Sequence, residues 1–367
     1  MLMRTKVDSL QGLRFWAATL VVASHCHFLN QGGVGNCIFF ALSGFLAVVP
    51  FKDDGECDYL SFKKVFSFYA RRFFRIIPVY WIGLFITCFL MSIMNATDLE
   101  TDRSLLLNMF FIKSFCHLWF LQQEMVYYVI LPFILIILAL IKTLLRKFIH
   151  NAGAVHVILA VFLFAAARVS KMVLTREVFY LDGNNQHMPF MLCNFLYGMT
   201  FAYIYKALKS FDFAFMKSKA VKVLTTLYTF GFLLITILTA EPILSSIDPR
   251  FAGTYIGWDH PMTMCCLTAG LLTLLLFHTD SIGSKFLSIP LFTYLGDISF
   301  IIYFIHAFIM SFFAGIQGPI RQFLVVYFVS VCVSVVLHVL VEKPFMLWSK
   351  DMKGFSWKDY YVKLLGR

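Results

Sequence analysis

Long apolar runs separated by short polar loops make up most of this chain. A helix needs about 20 predominantly apolar residues to cross a bilayer, and the runs approach or exceed that length. They cover residues 10–29, 34–51, 73–94, 115–141, 152–174, 187–207, 221–240, 262–279, 287–312 and 321–347. The pattern predicts an all-α fold, a polytopic transmembrane helix bundle of about ten spans. Residues 1–350 form one transmembrane domain in this prediction, and residues 351–367 form a short cytoplasmic tail.

Basic and acidic residues alternate between the loops on the two sides of the predicted bundle. Every second connecting segment is basic: Arg4 and Lys6; Lys52, Lys63, Lys64, Arg71, Arg72 and Arg75; Lys142, Arg146 and Lys147; Lys206, Lys209, Lys217, Lys219 and Lys222; Lys285; and the tail from Lys343 to Arg367. The other segments hold few basic residues and several acids, including Asp98, Glu100, Asp102, Glu177, Asp182, Glu241, Asp248 and Asp259. Because cytoplasmic loops of membrane proteins are enriched in lysine and arginine, the alternation predicts that both termini are cytoplasmic.

The composition agrees with a multi-pass protein of the cell membrane. Of the 367 residues, 60% are hydrophobic and 18% are aromatic, and the mean hydropathy is +0.79, far above that of a soluble domain. Topology explains the net charge of +11, so no nucleic-acid partner is expected. The nine cysteines are scattered without a CxxC pair, so neither a disulfide scaffold nor a metal site is predicted.

Two ionisable residues lie inside the first apolar run. Ten residues separate Arg14 from His25, which places them roughly 16 Å apart along one helix. A charged or titratable side chain is costly in hydrocarbon and therefore indicates a functional site. The alternative is a structural role, with His25 buried and bonded to a backbone carbonyl. His27 faces elsewhere on the helix, and we interpret it as structural.

Six segments, taken together and in chain order, resemble a known family. They are Leu10–Arg14 with His25, Phe39–Leu46, Tyr69–Trp81, His117–Glu124 with Tyr127, Tyr128 and Pro132, Gly296–Ser299 with Tyr303 and His306, and Val341–Phe345. The set is similar to the acyltransferase 3 family of integral-membrane acyltransferases, and Arg14 and His25 match its arginine–histidine signature. The chain departs from the family's usual pattern at Gln11, where aspartate is common, and at Phe120, where serine is common.

The resemblance implies an acyltransferase with the lipid bilayer as its environment. Such enzymes move an acyl group, usually acetyl, from cytoplasmic acyl-CoA to a hydroxyl of a cell-surface glycan. Acetyl-CoA would therefore be a donor substrate, with no permanently bound cofactor. Acyl transfer needs a base for the hydroxyl, donors for the oxyanion and a site for the CoA phosphates.

Candidate residues exist for each of these tasks. His25 is the candidate general base or, as an open alternative, the covalent acyl carrier. Glu124 is the candidate to orient His25. The candidate donor site consists of Arg14, Arg71, Arg72 and Arg75, whose guanidinium groups suit CoA phosphates, although the last three also suit a lipid anchor. Candidate acceptor or oxyanion contacts are His117, Tyr128, Ser299, Tyr303 and His306.

Helical spacing and topology sort these candidates. His117, Glu124 and Tyr128 are predicted to share one helix face, as are Ser299, Tyr303 and His306. The arginines are expected near the cytoplasm, and His25, His117, Glu124 and His306 in the outer half. Ser43–Gly44 is interpreted as a point of close helix packing, and Glu342–Lys343 as an anchoring ion pair.

A transporter or flippase is the alternative function class, because buried polar residues also line transport pathways. Two features of the sequence favour the enzyme. No inverted repeat is visible in the sequence, and the cationic cluster lies on one side of the predicted bundle.

Overall fold

A computed structural model describes most of the chain. The described residues are 7–49, 61–93, 105–114, 117–174, 176, 180–183, 186–351 and 354–365. Several charged residues used in the topology prediction lie outside this part of the chain: Arg4, Lys6, Lys52, Asp98, Glu100, Asp102, Glu177 and Arg367.

Helices account for nearly all regular structure in the described part of the chain. The first are α1 (Asp8–His25), α2 (Gly32–Val48), α3 (Phe62–Ile93), α4 (Leu105–Met109), α5 (Trp119–Arg146), α6 (Ala152–Leu174), α7 (Leu192–Phe211) and α8 (Lys219–Leu238). A two-stranded antiparallel hairpin, β1 (Tyr180–Gly183) and β2 (Gln186–Pro189), connects α6 to α7.

Shorter helices follow α8, and one irregular turn interrupts the last long helix. The helices are α9 (Glu241–Ile247), α10 (Ile256–Asp259), α11 (Pro261–Phe277), α12 (Ile282–Leu287), α13 (Pro290–Asp297), α14 (Ser299–Phe312), α15 (Pro319–Leu337), α16 (Lys343–Lys350) and α17 (Trp357–Leu364). A π-helical turn, His338–Glu342, joins α15 to α16, and 3-10 turns cover Ala214–Lys217 and Pro249–Phe251.

The apolar runs lie mainly in helices, although the run 187–207 begins in β2. The prediction of a helical membrane protein with several apolar helices is confirmed. Among the described residues, four helical segments are long and apolar enough to cross a bilayer: Trp119–Arg146, Ala152–Leu174, Lys219–Leu238 and Pro319–Lys350. The pair α13 and α14, bent by 69° at Ile298, provides a fifth if it counts as one span. The count of ten spans stays a prediction.

Glycines bring the central helices into close contact. A Cβ on Gly44 of α2 would lie 1.9 Å from the carbonyl oxygen of Phe195 in α7, and a Cβ on Gly198 of α7 would lie 2.2 Å from that of Ala41. Small residues allow membrane helices to approach at their backbones. The predicted packing point at Ser43–Gly44 is therefore present, between α2 and α7.

Close backbone contacts at glycines also hold α1 in place. A Cβ on Gly12 would lie 1.9 Å from the carbonyl oxygen of Leu287, at the end of α12, and a Cβ on Gly296 would lie 1.9 Å from that of Gln11. Gln11 and Gly12 lie less than one helical turn before Arg14 in α1, so these contacts hold the arginine end of α1 against α12 and α13.

The predicted tail contains a helix that returns to the bundle. The hydroxyl groups of Tyr360 and Tyr361 in α17 donate to the carbonyl oxygens of Val339 and Leu340, both at 2.8 Å. A π-helical turn leaves backbone carbonyls without their usual α-helical partners. The two tyrosines satisfy such carbonyls and tie α17 to the turn that contains Glu342.

Candidate active site

Three histidines from distant parts of the chain meet in one cluster. His25 ends α1 and is half-buried, His117 lies in the turn before α5, and His306 is on α14 with 0% exposure. The ring centroids are 4.8 Å apart for His25 and His306, 4.7 Å for His117 and His306, and 6.0 Å for His25 and His117. The structure thus places together three residues that the sequence assigned to one layer.

Backbone carbonyls determine which ring nitrogens carry hydrogen in the neutral cluster. His306 Nδ1 lies 2.6 Å from the carbonyl oxygen of Tyr303, and His117 Nε2 lies 3.2 and 3.1 Å from those of Tyr303 and Phe304. A carbonyl only accepts, so these nitrogens are assigned as N–H donors. The other nitrogen of each neutral ring, His306 Nε2 and His117 Nδ1, then bears a lone pair.

This assignment fixes the tautomer of His25. Its Nδ1 lies 3.2 Å from the lone pair of His306 Nε2 and 3.0 Å from the carbonyl oxygen of Val21. Because both neighbours accept, His25 Nδ1 carries the hydrogen, and Nε2 of His25 is left unprotonated. An imidazole held with one nitrogen as donor and the other bare has the arrangement of a general base or a nucleophile.

A second polar site lies apart from the histidines, around Arg14 in the N-terminal half of α1. It is a pocket lined by Arg14, Phe39, Ser43, Arg72, Arg75, Ile76, Phe120, Leu121, Glu124, Tyr128, Ser299, Phe300 and Tyr303. We call it the arginine pocket. Since α1 is continuous from Asp8 to His25, Arg14 and His25 are roughly 16 Å apart along the helix axis.

Each arginine of the pocket is held by a different neighbour. Arg14 donates to Gln11 Oε1 at 3.4 Å, one helical turn away. The guanidinium of Arg72 stacks 4.4 Å from the ring centroid of Tyr128, an arrangement favoured by the ring's electron-rich face. Arg75 Nε lies 3.7 Å from the carboxylate of Glu342, in the π-helical turn. Three guanidinium groups with fixed positions form a site suited to a polyanion.

Arg71 differs from the other predicted donor-site arginines. Its side chain is exposed, bonds to Ser67 Oγ one turn earlier in α3 and does not line the pocket. Arg72 and Arg75 lie one turn apart on the face of α3 that the pocket uses, whereas Arg71 is displaced around the helix by about 100° from Arg72. The structure therefore assigns Arg71 to the surface.

Glu124 lies in the arginine pocket and not beside His25. Its Oε1 accepts hydrogen bonds from Ser43 Oγ at 2.8 Å and from the hydroxyl of Tyr128 at 2.6 Å. It lines the arginine pocket together with Arg14 and lies five residues, roughly 7.5 Å, inside α5, which begins at Trp119. Glu124 thus occupies the depth of the arginines, and the expected position in the outer half, where it would orient His25, is wrong; His306 contacts His25 instead.

The predicted face of His117, Glu124 and Tyr128 is correct only in part. Glu124 and Tyr128 are one turn apart in α5 and bond to each other, but α5 begins at Trp119. His117 precedes the helix and turns toward α14. Its ring and carbonyl both contact α14, because the hydroxyl of Tyr303 donates to the carbonyl oxygen of His117 at 3.0 Å.

The five predicted acceptor contacts separate into two groups. His117 and His306 lie with His25, while Tyr128, Ser299 and Tyr303 line the arginine pocket. Ser299 Oγ donates to the carbonyl oxygen of Gly296 at 2.8 Å, at the bend between α13 and α14. Tyr303 belongs to the boundary between the two sites.

Sequence reasoning missed two polar partners of the pocket. Ser43 was assigned to packing, yet it bonds to Glu124. Glu342, 1% exposed, pairs with Arg75 Nε at 3.7 Å and with His338 Nδ1 at 2.7 Å. The His338–Glu342 spacing of one helical turn was visible in the sequence, and the anchoring ion pair predicted at Glu342 has Arg75 as its partner.

Metal chemistry has no candidate centre in the described part of the chain. There, no group of three or more histidine, cysteine, aspartate or glutamate side chains has a geometry that suits a metal ion. The three histidines instead contact one another, with His306 Nε2 and His25 Nδ1 3.2 Å apart.

Comparison with known proteins identifies relatives over nearly the whole chain. A protein named "Putative O-acetyltransferase" from Staphylococcus aureus (strain COL) is 21% identical over 391 residues, covering 97% of this chain and 59% of the relative. The O-acetyltransferase OatA of Staphylococcus aureus (strain NCTC 8325 / PS 47) is 21% identical over 384 residues, covering 95% of this chain and 58% of the relative. The chain therefore spans less than two thirds of the length of these relatives. No solved structure matches it.

The family assignment comes from a match to a family model. The acyltransferase 3 model, described as "Acyltransferase domain", matches residues 7–341. This range includes the arginine pocket and the three histidines. Because the match covers nearly the whole chain, the protein belongs to the acyltransferase 3 family.

Proposed function

We propose that this protein transfers an acetyl group from cytoplasmic acetyl-CoA across the cell membrane to a hydroxyl of an extracytoplasmic glycan, such as exopolysaccharide, capsule, O-antigen or peptidoglycan. One observation carries the proposal: α1 has Arg14 in a pocket that Arg72 and Arg75 also line, and at its other end it has His25 with an oriented, unprotonated imidazole nitrogen. The names of the relatives support O-acetyl transfer. Ten spans and cytoplasmic termini, as the loop charges predict, put the arginine pocket on the cytoplasmic side.

The arginine pocket suits the head of the donor. Arg14, Arg72 and Arg75 bind the phosphate oxygens of CoA, for which guanidinium groups have matching hydrogen-bond geometry. Glu124 balances their charge and, with Tyr128, holds the pocket in shape. The separation of roughly 16 Å between Arg14 and His25 is of the same order as the reach of the thin arm that carries the thioester.

His25 performs the proton transfer. As general base, its Nε2 removes the proton of the attacking hydroxyl while the hydroxyl oxygen forms a bond to the thioester carbon. The C–S bond then breaks, and the proton returns to the CoA thiolate. In the covalent alternative, Nε2 first attacks the thioester carbon, and the C–S bond breaks to release the CoA thiolate. The acceptor hydroxyl then takes the acetyl group, and its proton passes to the freed Nε2 and from there to the thiolate. Both routes need the Nδ1–H contact to His306 and Val21.

Replacement of His25 by alanine tests this assignment. We expect His25→Ala to abolish transfer of radiolabel from acetyl-CoA to surface glycan and to leave acetyl-CoA binding unchanged, because the arginine pocket is not touched. Both quantities can be measured on membranes that contain the full chain.

The matched control is His27→Asn. His27 is exposed and has a left-handed backbone, with φ 55°, a conformation that asparagine tolerates. This variant should retain activity. Full activity of His25→Ala would show that His25 is not the base or the acyl carrier. Export of unlabelled glycan by an otherwise inactive wild-type protein would instead favour a transporter.

A further inference from the structure

Three aromatic rings from three helices meet where the arginine pocket adjoins the histidines. Phe39 of α2, Phe120 of α5 and Tyr303 of α14 have ring centroids 5.6 Å apart (Phe39 and Phe120), 5.2 Å apart (Phe120 and Tyr303) and 6.3 Å apart (Phe39 and Tyr303). All three line the arginine pocket. We call this group the aromatic partition.

The partition also contacts the histidine cluster. The ring of Tyr303 is 5.9 Å from that of His117 and 5.8 Å from that of His306, measured between centroids. None of the three histidines lines the arginine pocket. Through Tyr303, the aromatic partition therefore adjoins both the pocket proposed for the donor head and the histidine cluster.

The three rings differ in how firmly they are held. Tyr303 is 3% exposed, and its hydroxyl donates to the carbonyl oxygen of His117, so a polar contact fixes its ring. The rings of Phe39 and Phe120 are held by apolar contacts, which have no preferred direction. A passage therefore opens by movement of the two phenylalanines.

Close packing behind Phe120 limits how far that passage can open. Phe120 is 4% exposed, its centroid is 4.6 Å from that of Phe40, and Phe40 is 4.7 Å from Phe195 of α7. Phe195 in turn lies at the backbone contact made by Gly44. Protein interiors packed in this way accommodate little displacement, so Phe120 can withdraw only a short distance.

We propose that the aromatic partition is a size filter that selects short acyl groups at the thioester end of the donor. The filter rests on the proposed acetyl transfer and adds the residues that set its specificity: acetyl passes between these rings, and longer straight chains are rejected. In an apolar site, one methylene more or fewer on the substrate changes kcat/KM by about 10- to 200-fold. Butyryl has two methylenes more than acetyl, so the wild-type protein should prefer acetyl-CoA over butyryl-CoA by at least about 100-fold.

Replacement of Phe120 by alanine tests the filter. Membranes with the full chain receive radiolabelled acetyl-CoA or butyryl-CoA, and alkali-labile label in the surface glycan fraction gives kcat/KM for each donor. We expect Phe120→Ala to reduce the preference for acetyl by at least about 10-fold, the equivalent of one methylene, by raising butyryl transfer. Phe39→Ala enlarges the same passage from α2 and should change the ratio in the same direction.

The control is Phe133→Ala, which removes a phenylalanine of α5 with 61% exposure and should leave the ratio unchanged. Two further results decide between the proposals. Equal wild-type use of both donors, or an unchanged ratio in both Phe120→Ala and Phe39→Ala, overturns the filter and leaves the proposed acyl transfer in place. No transfer by the wild-type protein from either donor overturns the proposed function and the filter with it.

Discussion

Replacement of His306 by leucine removes the side chain that orients His25. His306 is buried with 0% exposure, and its Nε2 accepts from His25 Nδ1 at 3.2 Å. Leucine retains apolar bulk and removes the acceptor. The carbonyl oxygen of Val21, 3.0 Å from His25 Nδ1, remains, so the tautomer of His25 is supported by one neighbour where it had two.

The expected loss follows from this partial support. A positioned general base contributes about 10²- to 10⁴-fold to a rate. Because the contact to Val21 persists, His306→Leu should lose part of that factor, about 10- to 100-fold in kcat, which corresponds to about 1.4 to 2.7 kcal/mol. KM for acetyl-CoA should not change, since the arginine pocket lies elsewhere along α1.

The measurement is transfer of radiolabelled acetyl to surface glycan, with kcat and KM determined separately. His306→Gln offers an amide oxygen near the position of Nε2 and should retain more activity than His306→Leu. His156→Leu is the matched control, because His156 is also 0% exposed and its ring bonds to Ser210 Oγ on another face of the bundle. Wild-type kcat in His306→Leu would refute the orienting role, as would equal losses in the leucine and glutamine variants.

Two further variants test the pocket and the packing that supports it. Glu342→Gln removes the charge that holds Arg75 and should raise KM for acetyl-CoA by about 3- to 10-fold, or about 0.7 to 1.4 kcal/mol, with kcat unchanged; an unchanged KM in steady-state kinetics would contradict this role. Gly44→Ala places a Cβ 1.9 Å from a backbone carbonyl and should destabilise the protein by about 1 to 3 kcal/mol, seen as a lower Tm in detergent. Gly231→Ala, where a Cβ meets nothing within 4 Å, should be neutral or stabilising by up to about 1 kcal/mol, and equal Tm values for the two variants would refute the packing argument.

Features that depend on short stretches of sequence were predictable. The length of an apolar run and the charge of a loop are read along the chain, so the apolar runs lie mainly in helices in the structure. Contacts one turn apart are local as well, and the Glu124–Tyr128 hydrogen bond follows from helical spacing. The rise per residue placed Arg14 and His25 at opposite ends of one helix before any packing was known.

Features that depend on how the helices pack against one another were not predictable. The contact between His25 and His306 joins residues 281 positions apart, and the bond from Ser43 to Glu124 joins residues 81 positions apart. Glu124 was expected to orient His25 because the predicted topology put both residues in the outer half of the bundle. The start of α5 at Trp119 puts it with the arginines instead.

The sequence by itself determined that this is a helical membrane protein of the acyltransferase 3 type, because bilayer thickness and loop charge act on each segment separately and the motifs are local. Only the tertiary structure decided that His306 contacts His25, that Arg71 faces away and that three aromatic rings adjoin the two sites. The physical reason is that apolar helix faces pack with little chemical preference for one partner. Backbone contacts at Gly12, Gly44 and Gly296 select the pairs, and the positions of the polar side chains follow from them.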